Sequence, residues 1–200
     1  MTHSPSAVTA AWRQYRVGTP GSVLPSEPVP EGGRLPGHLA MESAWGWADD
    51  PYPRLLLVTG SDALLRRTVA FAALEKCLSK VAYWTAHDYA RNSDHMDSIM
   101  RLARATSGSD DVLREAYSYE TAFHAMEASE WLFLDMLSES GLSAARSFDL
   151  FHLLLTRASS ARFQTVVSAA SVQAAVSNHD AGKAFQSLFA DASMTLEVPV

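Results

Sequence analysis

Residues 55–77 read LLLVTGSDALLRRTVAFAALEKC, an apolar run followed by a glycine, a short polar turn and a second apolar run. This order is typical of a phosphate-binding loop, in which backbone N–H groups wrap a phosphate at the start of a helix. Such a loop follows the pattern G-x-x-x-x-G-K-[ST], and Gly60 supplies its first glycine. Leu65, Arg66 and Arg67 stand where the pattern requires glycine, lysine and a hydroxyl residue. The segment therefore has the outline of a nucleotide site without most of its phosphate-binding residues.

The residues after the first glycine argue against an open phosphate cradle. The side chains at positions 62–65 would crowd the backbone wrap, and Asp62 would repel a phosphate. Ser61 or Asp62 is instead a good helix N-cap, so we expect the helix to start early and fill the site. Arg66 and Arg67 either still hold a phosphate or are solvated helix residues, and the missing glycines favour the second interpretation.

A second candidate position closes the apolar run WLFLD at residues 131–135. Asp135 ends this run, where a nucleotide-binding strand places the aspartate on its Mg²⁺ side, and Met136 follows it. Asp135 is either a relic metal ligand or a cap of the turn after the strand. The segment HDYARNSDHMD, residues 87–97, has two histidines and three aspartates but no spacing of a metal motif, so we interpret it as a solvated, helix-capping segment.

Composition limits the function classes. The chain has 200 residues and a formal net charge of −6, so no overall positive charge attracts it to nucleic acid. Its single cysteine, Cys77, forms no internal disulfide, which suits a reducing compartment. No apolar run reaches the length of a membrane span, and the N-terminus lacks the order of a signal peptide. We therefore expect no membrane partner and a cytoplasmic location in a bacterium, or a nuclear one in a eukaryote.

The elements that must position these residues alternate along the chain. Apolar runs predict strands, and the gaps between them predict helices near 63–78, 94–105, 119–128, 143–159 and 181–190. Runs that are apolar on both faces suit central strands covered by helices. The predicted fold is α/β, with a mostly parallel sheet built from residues 54–58, 81–85, 131–135, 165–169 and 194–198.

The first 50 residues differ from the core domain predicted at 51–200. Residues 17–38 are rich in proline and glycine and predict an extended linker. Before the linker, Val8, Trp12 and Tyr15 recur at helical spacing and predict a short amphipathic helix with one apolar stripe. After it, LAMESAWGWADD carries two tryptophans and is expected to pack on the core.

Four segments resemble RecA-family recombinases in their order and spacing, above all the eukaryotic and archaeal branch. In that family the segment matching residues 106–123 is a turn and a helix that lead into a strand. The segment matching residues 130–140 is the strand on the Mg²⁺ side. The resemblance covers residues 54–198, and ImuA-type and SulA-type proteins are similar in outline, as are, less closely, helicase-loader and DnaA-like ATPases. The four segments are TSGSDDVLREAYSYETAF (106–123), EWLFLDMLSES (130–140), GLSAARSFDLFHLLLTRASSARFQTVVSAASVQ (141–173) and AFQSLFADASMTLEV (184–198).

The resemblance implies a RecA-like P-loop-NTPase fold with a degenerate nucleotide site. His87 stands where the family has its catalytic glutamate, and Ala169 and Ala170 stand where it has a polar phosphate sensor. The segments matching the DNA-gripping loops carry Arg146 and Lys183 but no basic cluster, so we expect DNA binding to be weak or indirect. Gly60, Arg66, Arg67 and Asp135 would be the relic cofactor-binding residues, with no catalytic residue and no metal site.

The predicted function is that of a non-catalytic accessory protein in DNA repair, recombination or SOS mutagenesis. It would bind a recombinase, a polymerase or a RecA-like paralogue in a hetero-oligomer, with Val8, Trp12 and Tyr15 as partner-binding residues. No cofactor is expected, although ATP with Mg²⁺ stays open. Two alternatives are a helicase-loader-like AAA+ ATPase of DNA replication with weak nucleotide binding, and a cell-division inhibitor of the SulA type.

Overall fold

A computed structural model describes residues 38–74, 81–105, 110–135, 137, 142–177 and 181–198. Five strands form one sheet in the order β2-β3-β4-β1-β5, and every neighbouring pair is parallel. The strands are β1 (Leu55–Thr59), β2 (Val81–Thr85), β3 (Trp131–Asp135), β4 (Gln164–Ala169) and β5 (Ser193–Glu197). The predicted α/β fold with a parallel sheet is confirmed, and each predicted strand lies within one residue of the observed one.

Seven helices of the described part of the chain flank the sheet. They are α1 (His38–Asp49), α2 (Ala63–Leu74), α3 (Ala86–Ala105), α4 (Asp110–Ala128), α5 (Ala144–Ala158), α6 (Val172–Ser177) and α7 (Gly182–Ala192). Two of the predicted helices were too short at their N-terminal ends, because α3 and α4 begin at residues 86 and 110 and not at 94 and 119. Residues 87–97, interpreted as a solvated capping segment, are helical throughout; Asp88 takes part in the cap with Thr85, but Tyr89 and Ser93 are buried. The strand implied within 106–123 was wrong, because this segment lies in α4 from residue 110 onward.

The helices form one layer on each face of the sheet. Alternate residues of a strand point to opposite faces. Leu56 and Val58 accordingly pack against α1 and α2, whereas Leu55 and Leu57 pack against α3, α5 and α7. The central strands β1, β3 and β4 are buried along their whole length, as expected for parallel strands that are covered on both faces.

The tryptophan-rich segment packs on the core, as predicted from its sequence. Trp45 and Trp47 are buried, and the Trp47 ring meets the edge of Trp131 with 6.0 Å between ring centroids. The indole Nε1 of Trp47 donates to the carbonyl oxygen of Pro53 at 2.7 Å, so its polar atom is satisfied inside the apolar layer. Helix α1 is therefore fixed against the start of the sheet.

Candidate functional site

The predicted site residues meet at the carboxyl ends of two strands. Gly60 follows β1, and Asp135 is the last residue of β3. Helix α2 begins just after Gly60 and carries Arg66 and Arg67 in its first turns. In a parallel α/β sheet the crevice beyond the carboxyl ends of the strands is the usual ligand site. The structure thus brings together the four residues predicted for a relic nucleotide site.

Helix α2 caps itself with a side chain from the loop. The Asp62 carboxylate accepts hydrogen bonds from the backbone N–H groups of Leu64 and Leu65, at 2.8 and 3.1 Å. The Asp62 carbonyl oxygen also accepts from the N–H of Arg66 at 3.0 Å. The expected N-cap and the expected early helix start are both confirmed. A carboxylate therefore takes the helix N-terminal donors that a phosphate would need, and its charge opposes an anion.

Gly60 is required by the fold of this chain. Its φ of +155° lies where residues with a Cβ are strained, and its N–H donates to the carbonyl oxygen of Ala170 at 3.1 Å. An added Cβ would lie 2.9 Å from the carbonyl oxygen of Val198, whose own N–H donates to Thr59 at 2.7 Å. The glycine therefore allows the segment after β5 to pass directly over the loop.

The arginine at the lysine position is buried. Arg66 is 1% exposed, so the interpretation of this residue as a solvated helix residue was wrong. Its Nη1 donates to the carbonyl oxygens of Gly60 and, at 3.4 Å, of Ser61. The guanidinium therefore contacts the carbonyl groups of the loop it follows. The charge of Arg66 thus stabilises the carbonyl groups of the loop, whereas a lysine at this position of a phosphate-binding loop would contact a phosphate.

Arg67 forms an ion pair with the aspartate at the end of β3. The Arg67 Nε donates to a carboxylate oxygen of Asp135, and the two side chains are 18% and 1% exposed. The same oxygen accepts from the Tyr83 hydroxyl at 3.0 Å, and the other oxygen accepts from the Ser168 hydroxyl. Arg67 is therefore not a solvated residue, and Asp135 is not a simple turn cap.

In the network around Asp135, groups of the protein itself compensate the negative charge of the carboxylate. Burial, followed by the negative charge of Asp135, raises the pKa of the Tyr83 hydroxyl far above its ordinary value, so this phenol stays a donor. A Mg²⁺ ion at Asp135 would compete with Arg67 and with the two hydroxyl donors for the carboxylate oxygens. In the described part of the chain, no group of three or more histidine, cysteine or acidic side chains could hold a metal ion.

The remaining positions of the expected site show no catalytic arrangement. His87 is exposed near the start of α3, and Ala169 is buried at the end of β4. Arg146 is surrounded by carboxylates, donating to Asp94 at 2.9 Å, to Asp149 at 2.8 Å and to Asp97. Lys183 is exposed on α7. The predicted partner-binding residues Val8, Trp12 and Tyr15 lie outside the described residues.

Sequence reasoning missed the partners of Asp135. Ser168 and Tyr83 lie on the two strands that flank β3, and neither belongs to a recognisable local motif. A signal was present nonetheless. Ser168 is a polar residue inside the apolar run of β4 and Tyr83 sits within β2, and polar groups buried in parallel strands require hydrogen-bond partners.

The overall arrangement matches that of solved structures. No protein-family profile matches the chain. No curated protein matches it either. One structure that shares its fold is a replication initiator DnaA bound to AMPPCP and single-stranded DNA, with a TM-score of 0.59 and 14% identity over 84% of this chain.

Two further similar structures are a DNA replication initiation factor, with a TM-score of 0.54 over 84% of this chain, and AMPPCP-bound DnaA from Aquifex aeolicus, with a TM-score of 0.53 over 83%, each at 14% identity. The likeness shows the fold alone, an α/β fold with a parallel sheet that resembles the P-loop-NTPase fold. The chain spans about half of each matched structure, 48%, 48% and 47% of their lengths. These structures support the predicted P-loop-NTPase fold, and they are initiators and not recombinases, so the likeness to RecA in particular is not supported by them.

Proposed function

We propose that the protein is a P-loop-NTPase-fold adaptor of DNA metabolism that neither needs nor hydrolyses ATP and acts by binding another protein. One observation carries the proposal: the Asp135 carboxylate is satisfied by Arg67, Ser168 and Tyr83 of the same chain. Phosphoryl transfer depends on a metal ion and on positive groups aimed at the transferred phosphate. Here the Asp135 carboxylate on the metal side and Arg66 at the lysine position are both bound by other groups of the protein.

The closed loop gives a second, independent argument. Asp62 accepts from the first N–H groups of α2, and Arg66 contacts the loop carbonyls. A nucleotide would have to break these contacts and bring its phosphates next to the Asp62 carboxylate. The same contacts hold the loop, the helix and the end of β3 in one arrangement. We infer that the fold is retained for its surface and that ATP with Mg²⁺ is not its cofactor.

DNA replication is the process that the comparisons favour. The matched structures are initiators of replication. They support the role in DNA replication that the AAA+ alternative includes, but they do not support ATP hydrolysis by this chain. A role beside a recombinase or polymerase in repair, recombination or SOS mutagenesis is the finer proposal from the RecA-like segments. In that role too, the chain would act in a hetero-oligomer with a protein partner. The SulA-type inhibitor has no observation in its favour.

Direct DNA binding is not part of the proposed function. The chain has a net charge of −6, and Arg146 is already held by three carboxylates. Neutralising phosphates and releasing their counterions requires several available lysine or arginine side chains on one surface. Contact with DNA would therefore come through the partner protein.

The experiment that tests the proposal is partner capture from the source cells with the tagged full chain. Cross-linked complexes are identified by mass spectrometry, once with added ATP and Mg²⁺ and once after enzymatic removal of nucleotides. We expect one replication or repair protein to be enriched equally in both conditions. A partner that is captured only with ATP, or lost with it, would contradict a nucleotide-independent adaptor.

A further inference from the structure

A groove of about 510 Å³ lies between α4 and α5, away from the relic nucleotide site. Its two walls carry acidic side chains, Glu120 and Glu127 from α4 and Asp149 from α5. Helix α3 contributes Tyr89 and Met96 to its lining. None of these residues takes part in the network around Asp135. The groove is therefore a separate feature of the molecule.

The two arginines in the groove do not neutralise its walls. Arg146 is bound by Asp94, Asp97 and Asp149, so one guanidinium faces three carboxylates. Arg157, 1% exposed, donates to backbone carbonyl oxygens and to the Thr165 hydroxyl, and burial lowers its pKa to about 10. Glu120 and Glu127 add two more carboxylates to the lining, and the ring nitrogens of His124 lie 3.7 and 3.6 Å from them. Asp94 and Asp97 lie outside the lining but bind Arg146, so these five carboxylates outnumber the two arginines.

The buried phenol of the groove responds to both walls. Burial raises the pKa of Tyr89 to about 12, and the charges of Asp149 and Glu127 act in the same direction. Asp149 belongs to α5 and Glu127 to α4, so the negative potential comes from both sides of the groove. A cationic group placed between the walls would be attracted by both.

The groove offers apolar surface as well as charge. Tyr89, Met96, Leu153 and Phe163 all line it. A lysine or arginine side chain combines an aliphatic stem with a cationic head, and such stems pack along apolar surface while the head stays in a polar environment. An anion or a nucleic acid strand would meet the acidic walls and be repelled.

The spacing of the acidic residues fits an extended cationic ligand. Glu120 and Glu127 are seven positions apart on α4, which is about 10 Å along a helix axis. In a polyproline II segment, residues i and i+3 share a face and lie about 9 Å apart.

We propose that this groove binds an extended basic segment of a partner protein, with the pattern Arg-x-x-Arg, whose two guanidinium groups pair with Glu120 and Glu127. The stems of the arginines lie on the apolar lining. The proposal rests on the adaptor function because it names the chemistry of the partner. Its test involves no nucleotide and no cell extract, so it can fail while the adaptor function holds, and the reverse is also true.

The experiment measures fluorescence anisotropy of a labelled peptide, Gly-Arg-Pro-Pro-Arg-Gly, titrated with the full chain at low ionic strength. The proline residues favour the polyproline II form. We expect saturable binding that weakens as salt is added, and weaker binding of the peptide Gly-Pro-Arg-Arg-Pro-Gly, which has the same composition but adjacent arginines. The double variant Glu120→Gln, Glu127→Gln should weaken binding of the first peptide roughly fivefold to tenfold, as expected for two exposed charge pairs.

The control variant is Asp191→Asn, Glu197→Gln, which removes two exposed carboxylates outside the groove and should leave the affinity unchanged. Equal weakening by both double variants would show attraction to net charge alone and overturn the proposal. Absence of saturable binding, or equal binding of both peptides, would also overturn it. Residues 13–16 read RQYR, which is the same Arg-x-x-Arg pattern within this chain. Tighter binding of the peptide by an Arg13→Ala, Arg16→Ala variant would mean that the chain's own N-terminal segment occupies the groove, which rules out a partner segment as its occupant.

Discussion

Arg67 and Asp135, 68 positions apart in the chain, form an ion pair at the edge of the sheet where a P-loop NTPase would bind Mg²⁺. The arginine stands at the hydroxyl position of the phosphate-binding pattern, and the aspartate at the end of the strand that carries the metal-side carboxylate. A cation of the protein thus compensates the charge that a metal ion would otherwise compensate. This pair is the structural basis for the proposal that the chain keeps the fold without using a nucleotide.

The Arg67–Asp135 pair should contribute to stability. Replacing Arg67→Ala leaves a buried carboxylate without its cation, and we expect a loss of about 3 kcal/mol in the free energy of unfolding. Urea denaturation followed by circular dichroism measures this loss. The matched control is Arg114→Ala, which breaks an exposed pair with Asp111 and should cost less than about 0.5 kcal/mol. Similar small losses in both variants would contradict a structural role for the pair.

Gly60 should not tolerate a side chain. Gly60→Ala places a Cβ 2.9 Å from the Val198 carbonyl oxygen at a φ of +155°, and we expect a loss of about 2 kcal/mol or more. Gly46→Ala is the control, because no atom lies within 4 Å of its Cβ inside α1, and it should raise stability by up to about 1 kcal/mol. Thermal unfolding of the two variants provides the comparison. A stable Gly60→Ala protein would show that the segment after β5 does not pack closely over the loop.

The buried phenol of Tyr89 should make the protein sensitive to alkali. Its pKa is raised from 10.0 in the unfolded chain to about 12, so the folded state holds the proton more tightly. The resulting stability is fully present below pH 10 and is lost as the pH rises towards 12, up to about 2–3 kcal/mol. Urea denaturation at increasing pH should show a shallower decline in Tyr89→Phe than in the parent chain. Equal declines would contradict this assignment.

The stripe of Val8, Trp12 and Tyr15 stays a prediction, because it lies outside the described residues. Trp12→Ala should keep the melting temperature and lose the captured partner, since tryptophan at an interface often contributes about 2 kcal/mol or more. Trp47→Ala is the contrasting variant. It removes a buried ring that packs on Trp131 and should lower stability by about 3 kcal/mol. A Trp12→Ala protein that melts earlier but still binds would assign Trp12 to the core.

Strands and local caps could be predicted from the sequence, because their signals are local. The run WLFLD is apolar on both faces, and it forms the buried strand β3 at the predicted positions. The early start of α2 followed from the capping preference of Asp62 and the Cβ-bearing residues after it. Helix α3 was predicted too short because its first turns are rich in charge. The residues Tyr89, Ser93 and Ile99 nonetheless form its buried face.

Contacts between distant residues could not be predicted from spacing. Both arginines after the loop were interpreted as solvated because the segment lacks the glycines of a phosphate-binding loop. The partner of Arg67 lies on β3, and Arg66 contacts carbonyl groups of the loop whose path depends on the whole fold. The groove between α4 and α5 likewise depends on how two helices pack.

The most direct measurement is isothermal titration calorimetry of the full chain with ATP and Mg²⁺, followed by an assay of released phosphate. The account predicts no saturable heat at millimolar nucleotide and no release of phosphate above the buffer. It would be contradicted by micromolar binding together with hydrolysis that is abolished by Asp135→Ala, because Asp135 would then hold a metal ion and not Arg67.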